Sequence, residues 1–321
     1  MSNNFEELQK STFSLMDMWL KNFARNLPYI LEGNNIKDLS VFQNEITYNN
    51  HNPTRTSIII GKGPSVYEKN HLEILSANKE NNTIVCSDIM LIETLKKGIT
   101  PDKFDDFYVL TVDGEDEQVE FYDDPIVEEY SNRIKVILST CTSPKVTKVC
   151  KKFGLNVFWF NPLIDDFRKE GSFSKIMNIM TRSENNPKGI SSLQTGGNVA
   201  SNSWVFSWAI LGRSPIVLIG VDFGYPASTS IEETQHYQHL LKCYNNDVDR
   251  VKNGHRIIHN KDFDCDVLLD PIYDYYREGF CNMVIHTPKW LRTINATEGG
   301  SIFGDRIQSM KFEIFLKKYT N

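Results

Sequence analysis

The chain has no run of about 18 apolar residues, the length a membrane-crossing helix needs, so no membrane span is expected. Its six cysteines (Cys86, Cys141, Cys150, Cys243, Cys265 and Cys281) form no CxxC pair and no Cys/His spacing of the kind that holds zinc. They read as reduced thiols. Nor is there an excess of positive charge: 35 Lys and Arg stand against 41 Asp and Glu, a net charge of −6, and no nucleic acid partner is expected. The first residues, Met1 to Lys10, are polar and acidic where a secretory leader is basic and then apolar, so the expected location is the cytoplasm. No internal repeat is visible.

What is present is material for a large core, since 40% of the 321 residues are apolar and 24% charged. From Phe5 to Leu31 apolar residues recur at helical spacing (Phe13, Met16, Trp19, Leu20, Phe23, Leu27), which predicts an N-terminal helical segment. It packs on the main body or serves as a partner contact. Short β-branched runs then alternate with helical ones: Ser57–Ile60, Thr83–Cys86, Phe107–Val112, Ile134–Leu138, Asn156–Phe160 and Ile216–Val221. Such runs, apolar with little alternation, suit strands covered on both faces. The expected fold class is therefore α/β, a mostly parallel, Rossmann-like sheet with helices on both faces. Ile89–Lys97 and Val199–Leu211 are helical candidates closed by Gly98 and Gly212. A polar tract from Pro226 to Asn260, with four of the seven histidines, reads as a lid. Beyond it lie a short strand candidate, Met283–His286, and a terminal helix, Asp305–Tyr319. The expected organisation is a helical segment over 1–50, a nucleotide-binding core over 51–225, and a lid and C-terminal extension over 226–321.

The chemistry sits at strand ends. Ile58-Ile59-Ile60 runs into Gly61-Lys62-Gly63-Pro64-Ser65, a glycine turn at the start of a helix, where bare backbone and free N–H groups can cradle a phosphate. It is no P-loop, and Val66 stands where a dinucleotide fingerprint needs its third glycine. The same turn also serves geometry alone. Ser87 and Asp88 end the second run, Asp113 and Asp116 follow the third, and in a doubly wound sheet Gly63, Ser65, Ser87, Asp88 and Asp113 would line one crevice. Ser87 or Asp88 can instead cap a helix, and Asp113 and Asp116 can be solvated carboxylates. Asp113 can also hold a ribose hydroxyl or a magnesium ion. Gly196 and Gly197, followed by Asn198, form a second glycine turn that either exposes backbone donors or caps the next helix. Asp222, with Phe223-Gly224-Tyr225 after it, ends the strongest strand.

Gly61-Lys62-Gly63-Pro64-Ser65, Thr195-Gly196-Gly197-Asn198-Val199-Ala200, Gly220-Val221-Asp222-Phe223-Gly224-Tyr225 and Asn295-Ala296-Thr297-Glu298-Gly299-Gly300 resemble, in order, the motifs of motility-associated-factor (Maf)-like proteins. That family shares a domain with the 6-hydroxymethylpterin diphosphokinases of the MptE type. The resemblance covers roughly residues 15 to 305. It implies a Rossmann-like nucleotide-binding fold similar to bacterial sialyltransferases, and transfer of a nonulosonic acid from a CMP-activated donor to a protein. Lys62 and Val66 depart from the family's usual small residue and Leu, and Val221-Asp222-Phe223 from its Gln-Asp-Leu.

Glycosyl transfer needs a base for the acceptor hydroxyl and donors at the leaving phosphate. His236 is the expected base, acting with Asp222, while His239, His255 and His259 are substitutes for it. Tyr225, Asn295, Thr297 and Glu298 are the expected substrate-binding residues, although Glu298 can merely sit in a turn. No cofactor is expected for this reaction. The rival reaction, diphosphoryl transfer from ATP to a pterin alcohol, needs magnesium on carboxylates such as Asp113, Asp116 and Asp222, and an aromatic clamp for the pterin ring. A third reading is a nucleotide-binding assembly factor without turnover. The expected partners are a nucleotide-activated donor and a protein acceptor; the oligomeric state is left open.

Overall fold

The computed structural model describes residues 15–78 and 81–319. The six β-branched runs become strands β2 (Ser57–Ile60), β3 (Thr83–Ser87), β4 (Phe107–Thr111), β5 (Lys135–Ser139), β6 (Asn156–Pro162) and β8 (Ile216–Ile219). Successive side chains of a strand point to opposite faces, and here both faces are buried. Ile58 and Ile60 enter one core with Ile84, Val109 and Val136, while Ile59 enters another with Val85, Leu110, Ile137 and Leu218. Alternation is therefore hidden in the sequence because neither face meets water.

The main sheet has ten strands, and every neighbouring pair is parallel. Its order is β1-β6-β5-β4-β3-β2-β8-β12-β13, with β7 (Ser192–Leu193) beside β6. Strands β1 (Asn34–Asn35), β12 (Thr293–Asn295) and β13 (Ile307–Ser309) come from outside residues 51–225, so the sheet recruits both flanking segments. From β2 the chain steps outward through β3, β4, β5 and β6, then crosses back to place β8 on the other side of β2. That reversal is a topological switch point, where the loops at the carboxyl ends diverge and leave a crevice.

The helix Met16–Glu32 packs on the main body, burying Phe23 and Ile30 in the first core, and Asn22 and Asn26 tie it to backbone carbonyls of Gly114, Cys141 and Thr142. The expected start of that segment, Phe5 to Phe13, lies outside the described residues. Gly98 and Gly212, at φ +80° and +62°, close their helices as expected. The polar tract folds into the helices Tyr237–Cys243 and Val248–Gly254 and the strand β10 (Arg256–Asn260), which pairs with β11 (Cys265–Leu269); β9 (Tyr225–Pro226) completes this small antiparallel sheet.

Two expectations are corrected. Met283–His286 is no strand but the last turn of the helix Pro271–Ile285, which Asp270 caps and which drives Phe280 and Val284, four residues apart, into the second core. Asp305–Tyr319 is not one helix: Ile307–Ser309 pairs in parallel with β12, and the helix begins only at Phe312.

At the amino ends of the strands, away from the crevice, Asp106 gathers Thr83 Oγ1 (2.7 Å), Arg213 Nη2 (2.8 Å) and Lys135 Nζ (3.2 Å), joining the starts of β3, β4 and β5 to the loop before β8. Burial alone would raise this carboxyl, but its hydrogen bonds to Thr83, Tyr108 and Arg213 hold it well below the ordinary value. A depressed carboxyl stabilises the fold above its unfolded pKa, and the contribution fades as pH falls through the folded one. We therefore expect Asp106→Asn to cost about 3 kcal/mol at pH 7 in urea unfolding, a gap that narrows below about pH 4. A gap that ignores pH would contradict this role.

Candidate functional site

The switch point is built on two glycines that leave no room for a side chain. A Cβ on Gly61 would strike the carbonyl of Gly220, and one on Gly220, at φ +61°, would strike that of Gly61. The two loops are thus in direct backbone contact, with the Gly63 amide donating to Gly220 O at 2.7 Å. Gly63 in turn leaves space for the Asp222 carboxylate, which it would otherwise overlap. Ser65 donates to Asp222 Oδ2 through its amide (3.3 Å) and its hydroxyl (2.9 Å). The Asp222 carbonyl accepts from the amide of Ser301, so one residue fastens the loops after β2, β8 and β12.

This arrangement engages most of the expected cradle. The amides of Gly61, Gly63 and Ser65 are already bonded to Ile219, Gly220 and Asp222, and Pro64 has none to give. Asp222 therefore occupies the position in which an incoming anion would have met the turn Ser65–Glu68. Burial pushes its carboxyl up to about 7, Glu68 adds to the rise, and the two Ser65 bonds only partly oppose them.

Beside Asp222 an open cavity of about 200 Å³ is lined by Ser65, Lys69, Tyr225, Thr297 and Glu298, among others. Tyr225 OH donates to the buried Asp270 Oδ2 at 3.0 Å, and His236 Nδ1 meets the same oxygen at 2.8 Å. Asp270 Oδ1 accepts from the amides of Ile272 and Tyr273 as the N-cap of its helix. Burial would raise this carboxyl, but His236, the Tyr273 amide and Tyr225 hold it below the usual carboxylate value, so it is an anion. An anion there fixes the proton on Nδ1 and leaves Nε2 as the basic nitrogen of a His236 ring packed edge-on to Tyr273, 4.7 Å away. Asp270 and Tyr273 were not foreseen, although Asp270-Pro271 ahead of a helix is a cap signature.

On the other side of β2, Ser87 donates to Ile60 O, and Asp88, 4% exposed, keeps Oδ2 without a hydrogen bond among the described residues. Burial pushes Asp88 up to about 6; protein mass around Asp113, then the Asp88 and Glu115 charges, push Asp113 up to about 7, although its side chain reaches solvent. The field of Asp113 also reaches Tyr276, on which Gly197 packs closely. Ser87 thus ends β3 with Asp88 directly after it, Asp113 follows the end of β4, and the Gly196–Gly197 turn lies against Tyr276. Asn198 caps the helix Val199–Ala209, accepting from Ser201 N, and the first-turn amides of Val199 and Ala200 are among those no helix satisfies by itself.

Other expected residues are placed elsewhere. Asp116 pairs with Lys145 (2.8 Å) and Ser143 (2.7 Å), in a depression beside Lys21 and Arg25. Asn295 is fully buried, its amide on Ile302 O and its oxygen on Thr297, so it shapes the loop from within. His255 bonds to Val251 O, and His259 to Asp266 on the small sheet. Among the described residues no three His, Cys, Asp or Glu converge as metal ligands.

A family model described as 6-hydroxymethylpterin diphosphokinase MptE-like matches residues 21–228. No curated protein matches the sequence. A solved structure described as a MAf glycosyltransferase from Magnetospirillum magneticum AMB-1 superposes with a TM-score of 0.57 at 14% identity; the match covers 92% of this chain and 40% of that one. At this identity the likeness is one of fold.

The raised Asp222 carboxyl has a testable sign. An acid whose folded pKa lies above its unfolded value of about 4 adds stability at low pH, and loses it as pH rises toward 7. Asp222→Asn should therefore gain stability relative to the parent as pH rises from 5 to 8, on the order of 2 kcal/mol across the interval. Parallel stability curves for the two proteins would show that Asp222 is ionised throughout.

Proposed function

The chain belongs to the 6-hydroxymethylpterin diphosphokinase MptE-like family, and from that premise we propose that it is a nucleotide-dependent transferase, acting as a glycosyltransferase that moves a nonulosonic acid from a CMP-activated donor to a protein hydroxyl. The observation that carries this reading is the His236–Asp270 pair, a carboxylate-oriented histidine beside the switch-point crevice. In this reaction the acceptor oxygen attacks the anomeric carbon while the bond from that carbon to the phosphate oxygen breaks. His236 Nε2 takes the acceptor proton and Asp270 stabilises the imidazolium that forms. The electron pair leaves with CMP.

The leaving phosphate needs donors that the first glycine turn no longer supplies. Those nearest to free are the first-turn amides of Val199 and Ala200 behind Gly196–Gly197, and the exposed ammonium of Lys62. Ser87, Asp88 and Asp113 then face the nucleoside, where a carboxyl near neutrality can accept from a ribose hydroxyl or donate to a base.

The family's own description favours a second reading, diphosphoryl transfer from ATP to a pterin alcohol. Asp113 and Asp116 do not fit it as a magnesium pair, because Lys145 already neutralises Asp116. On that reading the ion would rest on Asp113 and on the substrate's phosphates.

A thermal-shift panel of CMP, CDP, UDP, GDP and ATP, with and without magnesium, separates the readings. We expect cytidine nucleotides to raise the midpoint by a few degrees regardless of chelator, and His236→Asn to lower transfer at least ~100-fold with the CMP shift retained. Stabilisation by ATP alone, and only with magnesium, would favour the diphosphokinase. Nucleotide binding without turnover would leave a binding factor, and no shift with any nucleotide would remove the proposal.

A further inference from the structure

The cavity beside Asp222 differs in charge from everything a nucleotide would seek. Four carboxyl side chains line it (Glu68, Asp222, Asp266 and Glu298) against one ammonium, Lys69. Asp222 is 5% exposed, and its Oδ1 has no hydrogen-bond partner among the described residues, so this atom opens onto the cavity while Oδ2 is held by Ser65. Glu298 sits at φ +58°, a left-handed backbone that a residue with a side chain adopts only under constraint. Its Oε1 accepts from the amide of Phe312, and its Oε2 meets no hydrogen-bond partner among the described residues.

Behind Glu298 lies a second unsatisfied group. His71 is fully buried, neither ring nitrogen has a hydrogen bond among the described residues, and Nε2 is 3.7 Å from Glu298 Oε1. A buried polar ring left short of partners costs stability and asks for an explanation. Phe312, edge-on at 5.4 Å, holds the ring from the other side, so His71 backs the Glu298 carboxylate on the side away from the cavity.

Resting on the transferase reading, we propose that this cavity is the acceptor subsite, that Asp222 Oδ1 and Glu298 Oε2 receive the hydroxyls of the incoming molecule, and that its carboxyl lining selects a neutral or cationic acceptor over an anionic one. The donor's phosphate is thereby confined to the Gly196–Gly197 side of the switch point. His71 acts as a positioning residue: it steadies Glu298 and touches no substrate. The ligand chemistry is an alcohol without negative charge close by, from a peptide serine or from an amino sugar.

The test needs no donor, so its result stands whether or not the nucleotide proposal survives. Binding of a fluorescent seryl peptide flanked by lysines is compared with that of its glutamate-flanked counterpart, and glucosamine is compared with glucuronate as competitor, on the full chain. We expect at least ~10-fold preference for the cationic member of a pair, weakening as salt rises. A preference in the peptide pair alone identifies a peptide acceptor, and one in the sugar pair alone an amino sugar. Glu298→Gln should abolish most of it, and Asp266→Asn, at an exposed position where folding is safe, should reduce it. His71→Gln, able to hydrogen-bond Glu298, should retain it while His71→Leu does not. Equal binding within both pairs, or a preference untouched by Glu298→Gln and Asp266→Asn, would overturn the proposal.

Discussion

The close approach of the Gly61 and Gly220 backbones governs the functional end of this molecule. Two adjacent parallel strands whose chains diverge leave a gap, and here the gap is closed from below by carbonyls that meet where any side chain would stand. Everything above that contact follows from it. Asp222 can reach over to Ser65 only because Gly63 is bare, and Ser301 can reach Asp222 only because the loop after β12 turns back through Gly300 at φ +68°. The crevice is thus a rigid seam among three loops, the kind of base on which a site can be preorganised.

That seam also separates two electrostatic neighbourhoods. On one side, the Gly196–Gly197 turn and the start of an eleven-residue helix offer backbone donors and partial positive charge. On the other, carboxyl groups outnumber the single lysine of the cavity. Between them stands the His236–Asp270 pair, tied to the cavity through Tyr225 and to the aromatic wall through Tyr273. On the proposed reading, this histidine would serve transfer from a phosphate-bearing donor held at the turn to a hydroxyl held in the cavity. The stability network around Asp106 lies at the opposite end of the strands, so the ions that fasten the sheet and the groups assigned to chemistry do not compete.

The sheet was legible because its strands are short, β-branched and bounded by turn residues; Ser57–Ile60 and its five counterparts fall where the pattern puts them. Strands β1, β12 and β13 were not, since two- and three-residue strands carry no periodicity, and their pairing is decided by partners far along the chain. Met283–His286 misled for a related reason: four residues with three apolar side chains fit either period, and only the Asp270 cap thirteen residues before Met283 settles the helix. Within the site, glycine spacing marked the turns but not what fills them. The turn after β2 has the composition of a phosphate cradle, yet its Gly61, Gly63 and Ser65 amides are bonded to the Ile219 and Gly220 carbonyls and the Asp222 carboxylate, more than 150 residues away, contacts that local sequence does not encode. His236 was singled out for its chemistry, whereas Asp270, the carboxylate it meets, came into view only with the fold.

The central claim is that a nucleotide lies in the switch-point crevice with its phosphate against the Gly196–Gly197 turn and within reach of His236. A crystal structure of the full chain with CMP tests it most directly. The proposed reaction requires phosphate density between that turn and the carboxyl ends of β2 to β4, with His236 Nε2 facing the space into which the donor's anomeric carbon would project from the phosphate oxygen. Nucleotide bound at an outer edge of the sheet, or with its phosphate inside the carboxyl-lined cavity, would contradict it.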